Sequence, residues 1–323
     1  MTTSMAPESS GGLAGFVYGL LRRIPTWALW LVVVIWTIPS FSLFVNGFRG
    51  RSDQRNNGFW TQITDFVGIT DINEGSWTTG NYESVFDADS TASLVDSIGN
   101  SFAVSIPATI IPIAIATFAA YAFAWIDFKG REWLFIFTVS LLAIPLQVAL
   151  IPLLQLFVGG AHLTIPFMDK TVTLLPDMDL AGSTTAVWLT HTGFAMPFAI
   201  FLIHNYLTAL PRDIFEAARI DGADHFTIFW RIVLPLSVPV IAAFAIFQFL
   251  WTWNDFLIVN TMAGSNPDAF TSTIRLANLA GDFGEREHLL SSAAFVQIIF
   301  PLIVFFSLQR YFVRGLLAGS VKG

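Results

Sequence analysis

The 323-residue sequence contains no cysteine and few charges, with 12% of its residues Asp, Glu, Lys or Arg. A soluble domain carries about 25%. Without cysteine there is no disulfide, no thiolate nucleophile and no Cys-ligated zinc or iron–sulfur centre. Lysine occurs three times, at Lys129, Lys170 and Lys322, after Phe128, Asp169 and Val321. A phosphate-binding loop needs glycine before its lysine, so the chain has no P-loop of its own. The five histidines, at 162, 191, 204, 225 and 288, form no His-x-x-x-His pair and no His-Glu-x-x-His motif, and Gly-x-Ser-x-Gly is missing. No basic cluster exceeds Arg49, Arg51 and Arg55, which leaves nucleic-acid binding unsupported. Direct use of ATP and the common hydrolase chemistries are thereby set aside, and no metal or cofactor is expected.

What the chain has in excess is apolar surface: 54% of residues are hydrophobic, with 32 Phe and 11 Trp. Six stretches carry no Asp, Glu, Lys or Arg: 24–48, 97–126, 133–168, 180–211, 232–254 and 288–309. A helix needs about 20 mostly apolar residues to cross a bilayer, so each run holds one crossing. The expected fold is an all-α, multi-pass membrane protein of six transmembrane helices surrounded by lipid. We place the crossings at 25–47, 98–125, 132–157, 184–208, 237–261 and 289–312. In domain terms these give a tail at 1–24, a first helix at 25–48, a loop at 49–97 and a five-helix core at 98–323. The loop carries eight acidic residues and is too polar to span, which suits a cover over one mouth.

Lys and Arg set the orientation of such a chain. With the N-terminus in the cytoplasm, ten of the sixteen basic residues lie inside and six outside, which favours N-in/C-in. Arg49, Arg51 and Arg55 oppose that bias, at the start of a loop near the length where the charge rule loses force. Arg22-Arg23 before an apolar run is reminiscent of a secretory signal. The run is too long for a signal core and no small-residue cleavage site follows, so it is expected to stay as the first crossing. Residues 12–24 read either as a short interfacial helix, with Phe16, Leu20 and Arg23 near one face, or as a partly ordered tail.

Proline recurs inside the runs, at 39, 107, 112, 145, 152, 197 and 301. Each removes a backbone donor, which a bilayer tolerates only where a neighbouring helix or a wet cavity satisfies the freed groups. Irregular helices lining a pathway and the general abundance of proline in membrane helices both account for the pattern. One acid, Asp255, approaches mid-membrane, thin support for the relay that a self-sufficient ion-coupled secondary transporter would use. His191 and His204 read as helix-packing or pore-lining residues.

Between the fourth and fifth crossings, residues 211–235 read PRDIFEAARIDGADHFTIFWRIVLP. Pro211 suits a first helical turn, Asp213 and Glu216 favour its positive end, Arg212 and Glu216 are spaced to pair, and Asp221-Gly222 is a stop. The spacing predicts a helix of about ten residues, a break, and a second short helix rising into the fifth crossing. Ala217 and Ala218 leave a flat strip suited to close packing by another protein. Glu216-Ala217-Ala218, three residues, Gly222, nine residues, then Ile232-x-Leu234-Pro235 resemble the EAA loop of ABC importer permeases. Further features are similar to the carbohydrate-uptake, MalG-type branch: Asn100-Ser101, Tyr121-Ala122-Phe123-Ala124 before Phe128-Lys129-Gly130-Arg131, Ile144-Pro145, Trp253-Asn254-Asp255-Phe256, and the closing Gln309-Arg310-Tyr311-Phe312-Val313. The long 49–97 loop resembles the α-glucoside subgroup.

The resemblance implies a type I ABC importer permease fold in a bacterial plasma membrane, forming half of a sugar pathway with a second, MalF-type permease. It implies a cytoplasmic ATPase dimer that binds ATP and Mg, and an extracytoplasmic sugar-binding protein; this chain would be a non-catalytic subunit. Glu216, Ala217, Ala218, Asp221 and Gly222 would contact the ATPase, and Ile232, Leu234 and Pro235 would anchor that helix to the fifth crossing. Pro235 and Pro239 bracket the junction, as a hinge or as an ordinary helix start. Trp251, Trp253, Asn254 and Asp255 offer aromatic faces and hydrogen-bonding groups for a sugar pathway. Consecutive helix positions point in all directions, so at most two of them face it. Capping of the helix end and contact with the partner permease are the alternatives.

Overall fold

The computed structural model describes residues 25–68, 77–90, 92–165, 170–281 and 286–320. The tail at 1–24, with its two readings, lies outside them. The first described helix is α1 (Thr26–Gly47), followed among the described residues by the short helices α2 (Arg51–Asn56), α3 (Phe59–Phe66) and α4 (Gly80–Phe86) of the polar stretch. Then come α5 (Val95–Trp125), the pair α6 (Arg131–Ser140) and α7 (Leu146–Gly159), and α8 (Thr184–Thr208). The break at Asp221-Gly222 separates α9 (Arg212–Ile220) from α10 (His225–Ile228). The latter continues through a π-turn at Phe229–Val233 into α11 (Leu234–Trp253). α12 (Leu257–Met262), α13 (Ser272–Ala280) and α14 (Glu287–Ser320) are the last described helices. The all-α expectation needs one amendment: β1 (Ala161–Ile165) and β2 (Lys170–Leu175) form an antiparallel hairpin between α7 and α8.

Among the described residues, five helices are long and apolar enough to cross a membrane: Thr26–Gly47, Val95–Trp125, Thr184–Thr208, the rod His225–Trp253, and His288–Tyr311 within α14. The third expected crossing, 132–157, is not one helix, because Arg131–Ala143 meets Leu146–Gly159 at 103°. The cause lies in Ile144-Pro145. A residue before proline is disfavoured in the helical region, and Ile144 is extended at φ −78°, ψ 116°. Proline then has no N–H to give to the preceding turn. Taken as one broken crossing, the pair brings the number to six.

The core forms where α5 packs along α8, with α11 against both. Lipid supplies no hydrophobic drive between helices, so close backbone approach through small side chains holds them. Ala108, Ala116, Ala120, Ala195 and Ala199 supply it, none more than 1% exposed. Pro112 takes away the N–H that would reach the Ala108 carbonyl one turn back. Gln248 of α11, fully buried, donates its side-chain amide to that carbonyl at 3.1 Å. A proline in one helix and a glutamine in another thus make a single tie, as a bilayer interior demands.

At the end of the bundle remote from α9, Asn100 donates to the carbonyls of Asp268 and Phe270 at 2.7 and 3.1 Å, and Ser101 meets Ser272 at 2.9 Å. These bonds seat the α12–α13 segment on α5. The same end carries Arg49, buried at the exit of α1. Its guanidinium donates to Asn46 Oδ1 and to the carbonyls of Asp53 and Asn57 at 2.8, 2.7 and 3.0 Å. Asn81 donates to the carbonyls of Gly47 and Arg49, closing α4 onto the same knot. Burial lowers the Arg49 pKa and Asp53 partly restores it. One of the three arginines that oppose the charge bias is therefore an internal strut of the loop.

Candidate functional site

The 211–235 loop is built by local backbone chemistry. Pro211, at φ −60°, stands directly before α9, and Gly222 ends the turn at φ +80°. That left-handed conformation costs other residues about 1 kcal/mol. The Asp224 carboxylate accepts from the Thr227 N–H at 2.8 Å and starts α10. Thr227, through its side chain and its N–H, holds the Asp224 carboxyl below its usual pKa.

One face of α9 is anchored. Phe215, 2% exposed, stacks on Trp125 of α5 with ring centroids 3.8 Å apart and planes at 22°. Ala218, half-buried, packs on the same apolar cluster as Ile203, Leu207, Ile228 and Phe229. The other face is open: Glu216, Ala217, Asp221 and Gly222 are exposed. Ile220 and Phe226 flank the break at 86% and 70% exposure, two contact candidates that the motif does not include. The expected Arg212–Glu216 pair is a correction, since among the described residues no ion pair includes either side chain. An exposed i,i+4 pair contributes only about 0.3–0.5 kcal/mol, too little to hold two long side chains. Glu216 is left open to an outside donor.

Beyond the break, Ile232 and Leu234 are half-buried and Pro235 is exposed. The junction is held instead by Phe229 and Val233, 4% and 0% exposed, in the same cluster as Phe215. The sequence marks these positions only by apolar spacing, which a core helix shares.

The second group divides. Trp253 is 1% exposed, enclosed by Phe102, Phe249 and Phe300 at centroid distances of 4.9, 5.4 and 5.4 Å. It is a core side chain. Asn254 is exposed and its amide donates to the Leu250 carbonyl at 2.8 Å. Asp255 Oδ2 accepts from the N–H groups of Ile258 and Val259 at 2.8 and 3.2 Å, capping α12. The same oxygen lies 3.7 Å from Nε2 of His191, a fully buried residue of α8. Trp251 meets His191 edge-on at 6.1 Å and helps line an apolar cavity of about 540 Å³ with Pro152, Thr190, Gly193, Phe194 and Pro197. Trp251 and Asp255 are therefore brought together around His191, whereas Trp253 and Asn254 face elsewhere. His204, by contrast, lies against Phe135 at 4.1 Å as a packing residue. Among the described residues no group of three or more His, Asp or Glu is placed to hold a metal ion.

Residues 112–317 match the family described as binding-protein-dependent transport system inner membrane component. The chain is 48% identical over 277 residues to the alpha-glucoside transport system permease protein AglG of Rhizobium meliloti, covering 85% of this chain and 68% of that one. It is 45% identical over 295 residues to the osmoprotective compounds uptake permease protein GgtD of Synechocystis sp., covering 91% and 90%. Its fold is similar to that of a chain in the crystal structure of a bacterial ABC transporter involved in the import of the acidic polysaccharide alginate. There the TM-score is 0.67 over 93% of this chain and 98% of that one, at 15% identity.

Proposed function

The chain belongs to the family of binding-protein-dependent transport system inner membrane components, and on that premise we propose that it is one permease half of an ATP-driven importer of neutral glycosides, docked through α9 to a separate ATPase. The observation that carries this reading is α9 itself. It is a short helix with a fixed start and stop, anchored on its inner face by Phe215, that offers an unpaired Glu216 beside Ala217 and Ile220. A helix held in this way suits a groove on a soluble partner.

In this reading α9 and both termini lie in the cytoplasm, and 49–97 and α12–α13 lie outside, where a sugar-binding protein delivers its ligand. A MalF-type permease covers the side chains this chain leaves open, among them Trp27, Trp30 and Trp36 of α1 at 65–79% exposure. ATP and Mg belong to the ATPase dimer. Closure of that dimer draws the docked α9 helices together and turns the bundle, so that access switches from one side of the membrane to the other. Sugar would meet the face of Trp251 and the polar edge near Asp255. The six runs carry no charge, which suits a neutral ligand, and the name of the AglG relative supports the α-glucoside class.

Glu216→Lys reverses the charge offered to the partner, and Gly222→Trp forces a side chain into a left-handed backbone position. Each purified complex is expected to lose sugar-stimulated ATP hydrolysis or to fall apart, with the chain still inserted in the membrane. Unchanged uptake in both variants overturns the docking role.

A further inference from the structure

Resting on the importer reading above, we infer that α5, and not only the directly connected α11, receives the stroke of α9, through a ladder of Phe118, Tyr121 and Trp125 that clamps both arms of the 211–235 loop. The three residues are three and four positions apart and so share one face over the last turns of α5. Trp125 stacks on Phe215 of α9, and its carbonyl accepts from Arg219 Nη2 at 3.5 Å. One turn back, the Tyr121 hydroxyl meets Nδ1 of His225, the first residue of α10, at 2.8 Å. Another turn back, Phe118 stacks on Phe229 in the π-turn, with centroids 4.4 Å apart and planes at 14°.

The covalent route from α9 to α11 is softer. It passes through Gly222, which has no side chain to hold it, then through the π-turn, and then through Pro235, which lacks an N–H for the turn before it. The aromatic ladder spans all but the last of these points from the side. The Trp125 indole Nε1 is buried with no acceptor, so the ring sits there for its face and not for its N–H. α5 is 31 residues long, about 46 Å at the helical rise. Gln248 restores the carbonyl bond lost at Pro112 midway along it, and Asn100 and Ser101 hold the α12–α13 segment near its far end. One rod therefore joins the docking helix to the outer segment. Phe118, Tyr121 and Trp125 act as positioning residues on that line.

The test uses the whole importer complex in proteoliposomes, with sugar imported per ATP hydrolysed measured per assembled complex. Trp125→Ala is expected to assemble and hydrolyse ATP while the ratio falls at least about fivefold, the scale of a coupling energy. Trp125→Phe keeps a stacking face and is expected to restore most of it. An unchanged ratio with a lower yield of Trp125→Ala complex marks a packing role alone and overturns the inference. Spin labels on Lys129→Cys and Asp213→Cys supply a second readout in the otherwise native complex. Their separation is expected to hold within about 2 Å between nucleotide-free and ATP-bound states, and a change of about 5 Å overturns the clamp. Absence of any ATPase from the native complex overturns the importer reading itself, and this inference with it.

Discussion

Asp255 decides between two modes of energy supply. Its Oδ2 caps α12 through two backbone N–H groups, and asparagine serves that position as well as aspartate. Asp255→Asn is therefore expected to keep ATP-driven uptake within about twofold, whereas Asp255→Leu loses the cap. Abolition of uptake by Asp255→Asn, with an ion gradient as the driving force, would identify a self-sufficient carrier instead. Gln248 is the second decisive residue. Gln248→Leu leaves the Ala108 carbonyl buried without a donor, a cost of about 1–3 kcal/mol. A lower thermal midpoint in detergent is expected, and an unchanged midpoint would contradict the tie. Arg49 is the third, because its donors reach three separate oxygens and a lysine ammonium cannot reproduce that spread. Arg49→Lys is expected to speed proteolytic nicking within 49–97 although the charge is unchanged.

At the level of elements, the 211–235 loop depends on its two punctuation marks. Gly222→Ala leaves room for the added methyl but not for the backbone angle. It is expected to weaken ATPase association by about 1 kcal/mol, roughly fivefold in affinity. Asp224 holds the second mark, and its sign follows from its lowered pKa. The contribution of its cap is present above the usual value of 3.8 and lost as pH falls through the folded-state value. Protection of the Thr227 amide, measured against its intrinsic exchange rate, is expected to be present above 3.8 and to fall as the carboxylate is protonated below it. These marks were legible because Pro211, Asp221-Gly222 and Asp224 act on their own neighbours. The elbow at Ile144-Pro145 was also written locally, but a proline in an apolar run signals a kink without giving its angle, here 103°. Phe215 on Trp125, Gln248 on Ala108 and His191 beside Asp255 join residues from different helices. No local pattern announces them, and so the start and stop of α9 were legible in the sequence whereas its anchors were not. Trp253 shows the converse, an aromatic with binding chemistry that packing encloses.

For the whole molecule, the absence of cysteine makes orientation directly measurable, since any introduced thiol is the only one in the chain. Glu216→Cys is expected to react with a membrane-impermeant maleimide only from the cytoplasmic side, and Trp77→Cys, half exposed beside the 49–97 knot, only from outside. Labelling of both from the same side would contradict the N-in/C-in arrangement. The side chains of α1 are exposed along most of its length and the cavity at Trp251 is open at its side. The central claim is that partners close the bundle and drive it. The most direct measurement is gentle extraction of the tagged chain from its native membrane, followed by identification and counting of what copurifies. Two copies of an ATPase with one different permease are the predicted result. Recovery of this chain alone, active in transport under an ion gradient, would contradict the account.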